Sequence, residues 1–216
     1  MQINANLGER AVVRSDELPW VPSPLAGVER RMLERDGGEV ARATTIVRYA
    51  PKSYFDAHSH DAGEEFFVLD GVFSDEMGDY PAGMYVRNPP GSKHKPHSEH
   101  GCTILVKLRQ IDADDRNFVR IDTTTAPWLP GLMEGLSVMP LYERKAEHVA
   151  LVRFAAGTHF QRHGHPGGEE IFVLDGVFED EHDRYPKGTW LRNPSGSSHQ
   201  PFSTEGCEIL VKTGHL

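Results

Sequence analysis

Cysteine is scarce in this chain: only Cys102 and Cys207 occur in 216 residues, and neither stands in a C-x-x-C pair. A disulfide scaffold and a dithiol redox motif are both excluded. Long apolar runs are missing too. No stretch approaches the ~18 residues of a membrane span, and the first 14 residues lack the apolar core of a signal peptide. The expectation is therefore a cytoplasmic protein with no membrane partner. Positive charge is in deficit, with 23 Lys and Arg against 32 Asp and Glu and a net charge of −9. Such a surface repels phosphate backbones, so no nucleic-acid partner is expected. Helical periodicity is hard to find, and only residues 29–35 read as one short turn of helix. What the chain has in excess is histidine, 12 in all, beside 21 glycines and 15 prolines.

The histidines are ordered by an internal repeat. The run His58-Ser-His60-Asp-Ala-Gly63-Glu64-Glu65 faces His163-Gly-His165-Pro-Gly-Gly168-Glu169-Glu170 at an offset of 105. The offset holds without a gap to the last strand, where Gly101-Cys102-Thr103-Ile104-Leu105-Val106-Lys107 faces Gly206-Cys207-Glu208-Ile209-Leu210-Val211-Lys212. Of the 50 pairs from 58 to 107, 31 are identical, which chance does not produce over such a length. Earlier in each copy Pro19-Trp20 matches Pro127-Trp128, and Glu34-Arg35 matches Glu143-Arg144. The offset there is three or four residues larger, so the first copy carries a small insertion around Asp36-Gly37-Gly38. The acidic stretch Asp112-Ala-Asp114-Asp115 separates the copies, giving domains 1–111 and 112–216.

The segments read as strands. Thr44 to Tyr49 is short and rich in β-branched residues, and Glu65 to Phe73 is another such run. Asp70-Gly71 and Asp175-Gly176 predict two-residue hairpins, because both central positions of that turn require positive φ. Pro81, Gly83, Pro89, Pro90 and Gly91 punctuate the rest. Many short strands at this spacing mean an all-β fold, here two tandem antiparallel jelly-roll barrels.

His58 and His60 are two apart, so on a strand both imidazoles enter one face. Glu64 follows after Gly63, which lets the chain bend back, and His94 arrives after the Asn-Pro-Pro-Gly turn. His163, His165, Glu169 and His199 repeat the set at identical intervals. A lone His-x-His is ordinarily two surface histidines. A four-residue set that recurs whole is a metal site, and three imidazoles with one carboxylate suit Zn, Fe, Mn, Ni or Cu. Two divalent ions per chain are expected.

These words carry a family resemblance. Gly157, five residues, His163-x-His165, three residues, Glu169, six residues and Gly176 resemble the first cupin signature. Gly188, five residues, Pro194-x-Gly196, two residues and His199 resemble the second. The first half matches equally, except that Lys52 replaces the opening glycine. Ser98 and Ser203 replace the closing asparagine. More narrowly, Val-Leu-Asp-Gly-Val-Phe, Asn-Pro-Pro-Gly-Ser-x-His and Gly-Cys-x-Ile-Leu-Val-Lys resemble the cupin domain of ChrR-type anti-sigma factors. The resemblance implies zinc first among the metals, with iron, manganese or nickel as alternatives, a regulatory protein partner, and a homodimer joined through barrel edges. No cysteine precedes Cys102, so the helical zinc domain through which such regulators hold their sigma factor is not expected here.

Around the ligands, Cys102 and Cys207 share a strand face with Ile104 and Ile209 and should be buried; a thiol near the metal that responds to oxidants is the sharper alternative. Glu65 and Glu170 point away from the ligands and should face solvent or bridge to Arg or Lys. Tyr54 and His159 have the parity to line the two cavities, and His97 is replaced by Phe202. Arg87 and Arg192 suit structural ion pairs. No catalytic residue can be named, because no committed general base stands out. Two functions remain in view. One is a metal-dependent sensor or regulatory module. The other is a mononuclear dioxygenase or related cupin enzyme acting on a small carbonyl compound bound in a barrel.

Overall fold

The alternation of apolar and polar residues sets the architecture, since each strand buries one face and must pair on both sides. The computed structural model describes all 216 residues. It is built of antiparallel strands, with one 3-10 turn at Ser15–Glu17. No helix is long and apolar enough to cross a membrane.

In the first unit the sheet runs Gln2–Ile3, Val28–Gly37, Ala41–Tyr49, Cys102–Leu108, Glu64–Asp75, Met84–Asn88 and Val119–Asp122 in spatial order. The second runs Leu129–Pro130, Leu136–Arg144, Glu147–Phe154, Cys207–Thr213, Glu169–Glu179, Thr189–Asn193 and Ala11–Arg14. In both, the last strand of the repeat lies between two earlier ones, the crossover of a jelly roll. The first core gathers Val28, Tyr49, Phe66, Val68, Phe73, Tyr80, Cys102 and Ile104, and the second gathers Leu136, Phe154, Ile171, Val173, Phe178, Tyr185, Cys207 and Ile209. Each large apolar side chain buried this way contributes about 1.5–3 kcal/mol.

Two expectations are corrected. Residues 29–35 are not helical but lie in strand Val28–Gly37, paired along its length with Ala41–Tyr49; tertiary pairing overrides a weak charge pattern. Asp70-Gly71 and Asp175-Gly176 do not end hairpins. Strands Glu64–Asp75 and Glu169–Glu179 run straight through them. Thr103 faces Asp70 while Ile104 faces Val68, so Leu69 is an extra residue, and Leu174 is its counterpart. These are β-bulges, and two residues beyond the extra residue each strand passes through a glycine at positive φ. Gly71 and Gly176 have φ of 72° and 70°.

The compact units divide the chain by strand pairing, whereas the division at 111/112 follows the repeat. The compact units are Met1–Ala5 with Leu18–Thr125, and Asn6–Glu17 with Ala126–Leu216. A cut between 111 and 112 follows the repeat but severs pairing. Val119–Asp122 completes the first unit against Met84–Arg87, and Ala11–Arg14 completes the second against Thr189–Arg192. The acidic stretch is not a bare linker either, since Asp115 is fully buried against Arg87.

The strand pairing also refines the repeat. Arg30 faces Val47, and Val138 faces Val152; after the bulge Arg35 faces Ala43, and Glu143 faces His148. The structural counterpart of Arg35 is therefore Glu143, one residue from the match that sequence similarity suggests.

Candidate metal centres

A short ladder carries the histidines of each unit. Strand His58–His60 pairs with Ser92–His94, setting His58 opposite His94. His163 stands opposite His199 in the same way. The His60 carbonyl accepts hydrogen bonds from Gly63 N at 3.2 Å and Gly91 N at 2.8 Å, and the His165 carbonyl accepts from Gly168 N and Gly196 N at 3.0 Å each. Those bonds tie the loop leading to the glutamate, and the proline turn leading to the last histidine, to one point.

The three rings of the first unit are 4.8, 5.0 and 4.8 Å apart between centroids, and those of the second 4.7, 5.1 and 4.8 Å. In the second unit one donor atom each from His163, His165, Glu169 and His199 lies within 4.8 Å of the others. In the first, the corresponding group is His58, His60 and His94, and Glu64 Oε2 reaches two of them, 3.6 Å from His60 Nε2 and 3.5 Å from His94 Nε2. Ligand atoms about 2 Å from one ion fall within such separations.

The chemistry of the donors fits a divalent cation. Nε2 of His165 and Nε2 of His199 are buried and have no hydrogen-bond partner, a costly state that an ion at the centre would relieve. Burial, then repulsion from His199 and His163, pushes His165 down to about 4, so its ring is neutral and its lone pair available. Burial raises Glu169, the strain of a carboxylate lacking a nearby positive charge.

Outer contacts orient the ligands. His58 Nδ1 meets the Asp56 carbonyl at 2.8 Å and His163 Nδ1 meets that of Gln161 at 3.0 Å, leaving each Nε2 for the centre. His94 Nδ1 lies 3.3 Å from Asp75 Oδ2, and His199 Nδ1 lies 3.5 Å from Asp180 Oδ2. Asp75 in turn accepts from Tyr80 OH at 3.0 Å, and Asp180 from Tyr185 OH at 2.7 Å. Burial alone would raise both aspartates, but the adjacent histidines and hydrogen bonds from tyrosine and backbone N–H hold them below the usual carboxylate range. Asn88 Nδ2 donates to Glu64 at 3.0 Å and Asn193 Nδ2 to Glu169 at 2.9 Å. Such partners fix the tautomer and raise ligand basicity.

Sequence reasoning missed these aspartates, tyrosines and asparagines, although their identity at offset 105 was a signal. It also missed Arg120 and Arg10. Arg120 donates to Tyr80 OH and, at 2.6 Å, to Asn88 Oδ1; Arg10 donates to Tyr185 OH and, at 3.1 Å, to Asn193 Oδ1. The two arginines stand at different repeat positions, so no alignment links them.

Other expected residues fall as follows. Cys102 and Cys207 are buried in the cores, outside both histidine groups, and burial pushes each thiol up to about 11. Glu65 and Glu170 are buried, and of the two expected alternatives the bridge to arginine holds for Glu65. Arg87 pairs with Glu65 and, at 3.1 Å, with Asp115, whereas Arg192 donates to the carbonyls of Asn6 and Glu9. Tyr54 and His159 are exposed and pair with His97 and Phe202 on peripheral ladders, not in the histidine cavities. Lys52, in the place of Gly157, keeps its left-handed φ of 60°. Ser98 and Ser203 each donate to a backbone carbonyl at 2.6 Å.

A cavity of about 490 Å³ opens beside the first centre, with His58, His60 and Glu64 in its wall.

A family model described as the ChrR Cupin-like domain matches residues 8–112 and again 116–216. No curated protein matches the chain. Among solved structures, a candidate dioxygenase from Nostoc punctiforme is 17% identical, with 97% of this chain and 84% of that one covered at a TM-score of 0.80. Protein YlbA from E. coli is 16% identical over 97% and 92%, with a TM-score of 0.73. Oxalate decarboxylase from Bacillus subtilis, a protein with Mn(II) centres, is 14% identical over 94% and 77%, with a TM-score of 0.61. At such identities the likeness establishes the fold.

Proposed function

Since the chain belongs to the ChrR cupin-like domain family along both halves, we propose that it is a divalent-metal bicupin in which the first barrel receives a small molecule at its metal centre. The observation that carries this reading is the cavity of about 490 Å³ whose wall includes His58, His60 and Glu64, a volume typical of small-ligand sites. His58, His60, Glu64 and His94 hold one ion; His163, His165, Glu169 and His199 hold the other. A bound ion would supply Lewis acidity toward a ligand oxygen. The chain's own groups do the rest: Asp75 and Asp180 keep Nε2 of the last histidine aimed inward, and Asn88 and Asn193 hold the glutamates.

Within the family the reading is a sensor or regulatory module with zinc in each barrel, where the ligand alters the first centre and a protein partner reads the change. The cavity favours a second reading, a mononuclear iron enzyme using O₂ on a small carbonyl compound. Purified protein, loaded separately with zinc and with iron, separates them. Tight zinc binding without oxygen uptake on a diketone panel supports the module. Iron retention with substrate-dependent oxygen uptake supports the enzyme, and failure to hold either ion contradicts both.

A further inference from the structure

Besides its histidines, the first cavity is lined by Arg30, Arg35 and Arg109 and by the carboxylates Glu39, Asp56, Asp61 and Glu64, and Arg109 is paired with Asp61. Strand alternation explains why Arg30 and Arg35 both line the cavity. Val28 and Arg30 share the inward face of their strand. The extra residue Leu33 shifts the register between Met32 and Glu34, which brings Arg35, opposite Ala43, onto the face that Arg30 occupies. Without the bulge Arg35 would point outward.

The two arginines differ in commitment. Arg35 is buried and spends its donors on loop carbonyls, with Nε to Gly38 O at 2.9 Å and a second nitrogen to Glu39 O at 3.1 Å. It holds the loop and adds positive potential. Arg30 is the available group. Its Nε is buried and has no hydrogen-bond partner. Its terminal nitrogens meet the Glu39 carboxylate at 2.9 and 3.5 Å. Glu39 sits in the insertion unique to the first copy, with its side chain 66% exposed. An exposed pair of this kind is worth little, about 0–1 kcal/mol, so a better-placed anion displaces it. The second barrel has Val138 and Glu143 at the positions of Arg30 and Arg35. The arginine pair therefore belongs to one site and is not a demand of the fold.

We propose that the first barrel binds a small organic dicarboxylate, with one carboxylate on Arg30 in place of Glu39 and the other end at the metal centre. The proposal rests on the metal-centre reading above and specifies the ligand class of that site. A guanidinium and a carboxylate match as a two-pronged, charge-assisted pair, and the remaining wall, with Val28, Val47, Ile104 and Val106, suits a short aliphatic spacer.

The test is calorimetric titration of the metal-loaded full chain with oxalate, malonate, succinate, glutarate and 2-oxoglutarate, each against the monocarboxylate of equal length. At least one diacid should bind ten-fold or more tighter than its monoacid. Arg30→Met should abolish that preference while metal content, measured on the same sample, stays at the wild-type level. Glu39→Ala, an exposed change, should tighten the diacid several-fold by removing the competing carboxylate. Metal held in full with no diacid preference, or a preference untouched by Arg30→Met and Glu39→Ala, overturns this proposal and leaves the metal reading standing. Absence of metal from the wild type overturns the metal reading itself.

Discussion

Asp115 shows what one residue can hide in a sequence. It ends the acidic run that separates the two copies, yet it is fully buried and accepts from both Nε and a terminal nitrogen of Arg87, at 3.2 and 3.1 Å. Removing Asp115 leaves Arg87 with Glu65 as a partner but strips buried guanidinium donors of their acceptor, at a cost of about 1–3 kcal/mol. Asp115→Ala should lose that much in denaturant unfolding, and a loss under 1 kcal/mol would show that the pair is not as buried as described. Asp75 and Asp180 act on the histidines, not on the core. Asp75→Ala or Asp180→Ala should weaken metal binding about 10–100-fold at its own centre, read by competition with a chelator of known affinity. The cysteines are the quiet case. Burial pushes both thiols up to about 11, so at pH 8 almost no thiolate exists and the reactive form is scarce. Native protein should therefore react with a thiol reagent far more slowly than denatured protein. Rapid native labelling would restore the oxidant-sensing alternative.

At the scale of the element, period and punctuation were legible and conformation was less so. The strands at Ala41–Tyr49 and Cys102–Leu108 follow from β-branched, alternating residues. The eight residues of the candidate metal centres were legible because spacing of two places imidazoles on one face, and because the set recurs. Asp70-Gly71 was misread because a glycine at positive φ serves a tight hairpin and a continuous strand alike, and only long-range pairing with Cys102–Leu108 tells them apart. Arg30 and Arg35 gave no signal at all; their shared face depends on a bulge that no local pattern marks. The bulge glycines are open to a direct check. A Cβ on Gly71 would lie 2.1 Å from the Gly101 carbonyl oxygen, and one on Gly176 equally close to that of Gly206. Gly71→Ala should destabilise by well over the ~1 kcal/mol that positive φ alone costs, and a neutral result in thermal unfolding would refute the close approach of Gly71 to Gly101.

At the scale of the whole molecule, the repeat and the compact units divide the chain differently. The sequence shows the repeat because it is written in identities, but strand exchange leaves no mark in a repeat. Each unit closes with a strand encoded before the other copy's core, and Arg120 and Arg10 reach the metal-site asparagines from those segments. A chain cut between 111 and 112 should consequently yield halves that each unfold at lower denaturant than the intact protein. Mixing the halves should recover part of the loss. Halves as stable as the whole would argue that the exchanged strands contribute nothing.

The central claim is that each barrel holds one divalent ion on three histidines and a glutamate. Elemental analysis of the wild type beside a His58→Ala/His60→Ala variant and a His163→Ala/His165→Ala variant tests it most directly. The account predicts close to two ions per chain in the wild type and close to one in each variant. Wild-type protein that remains metal-free after reconstitution, or variants that keep both ions, would contradict it.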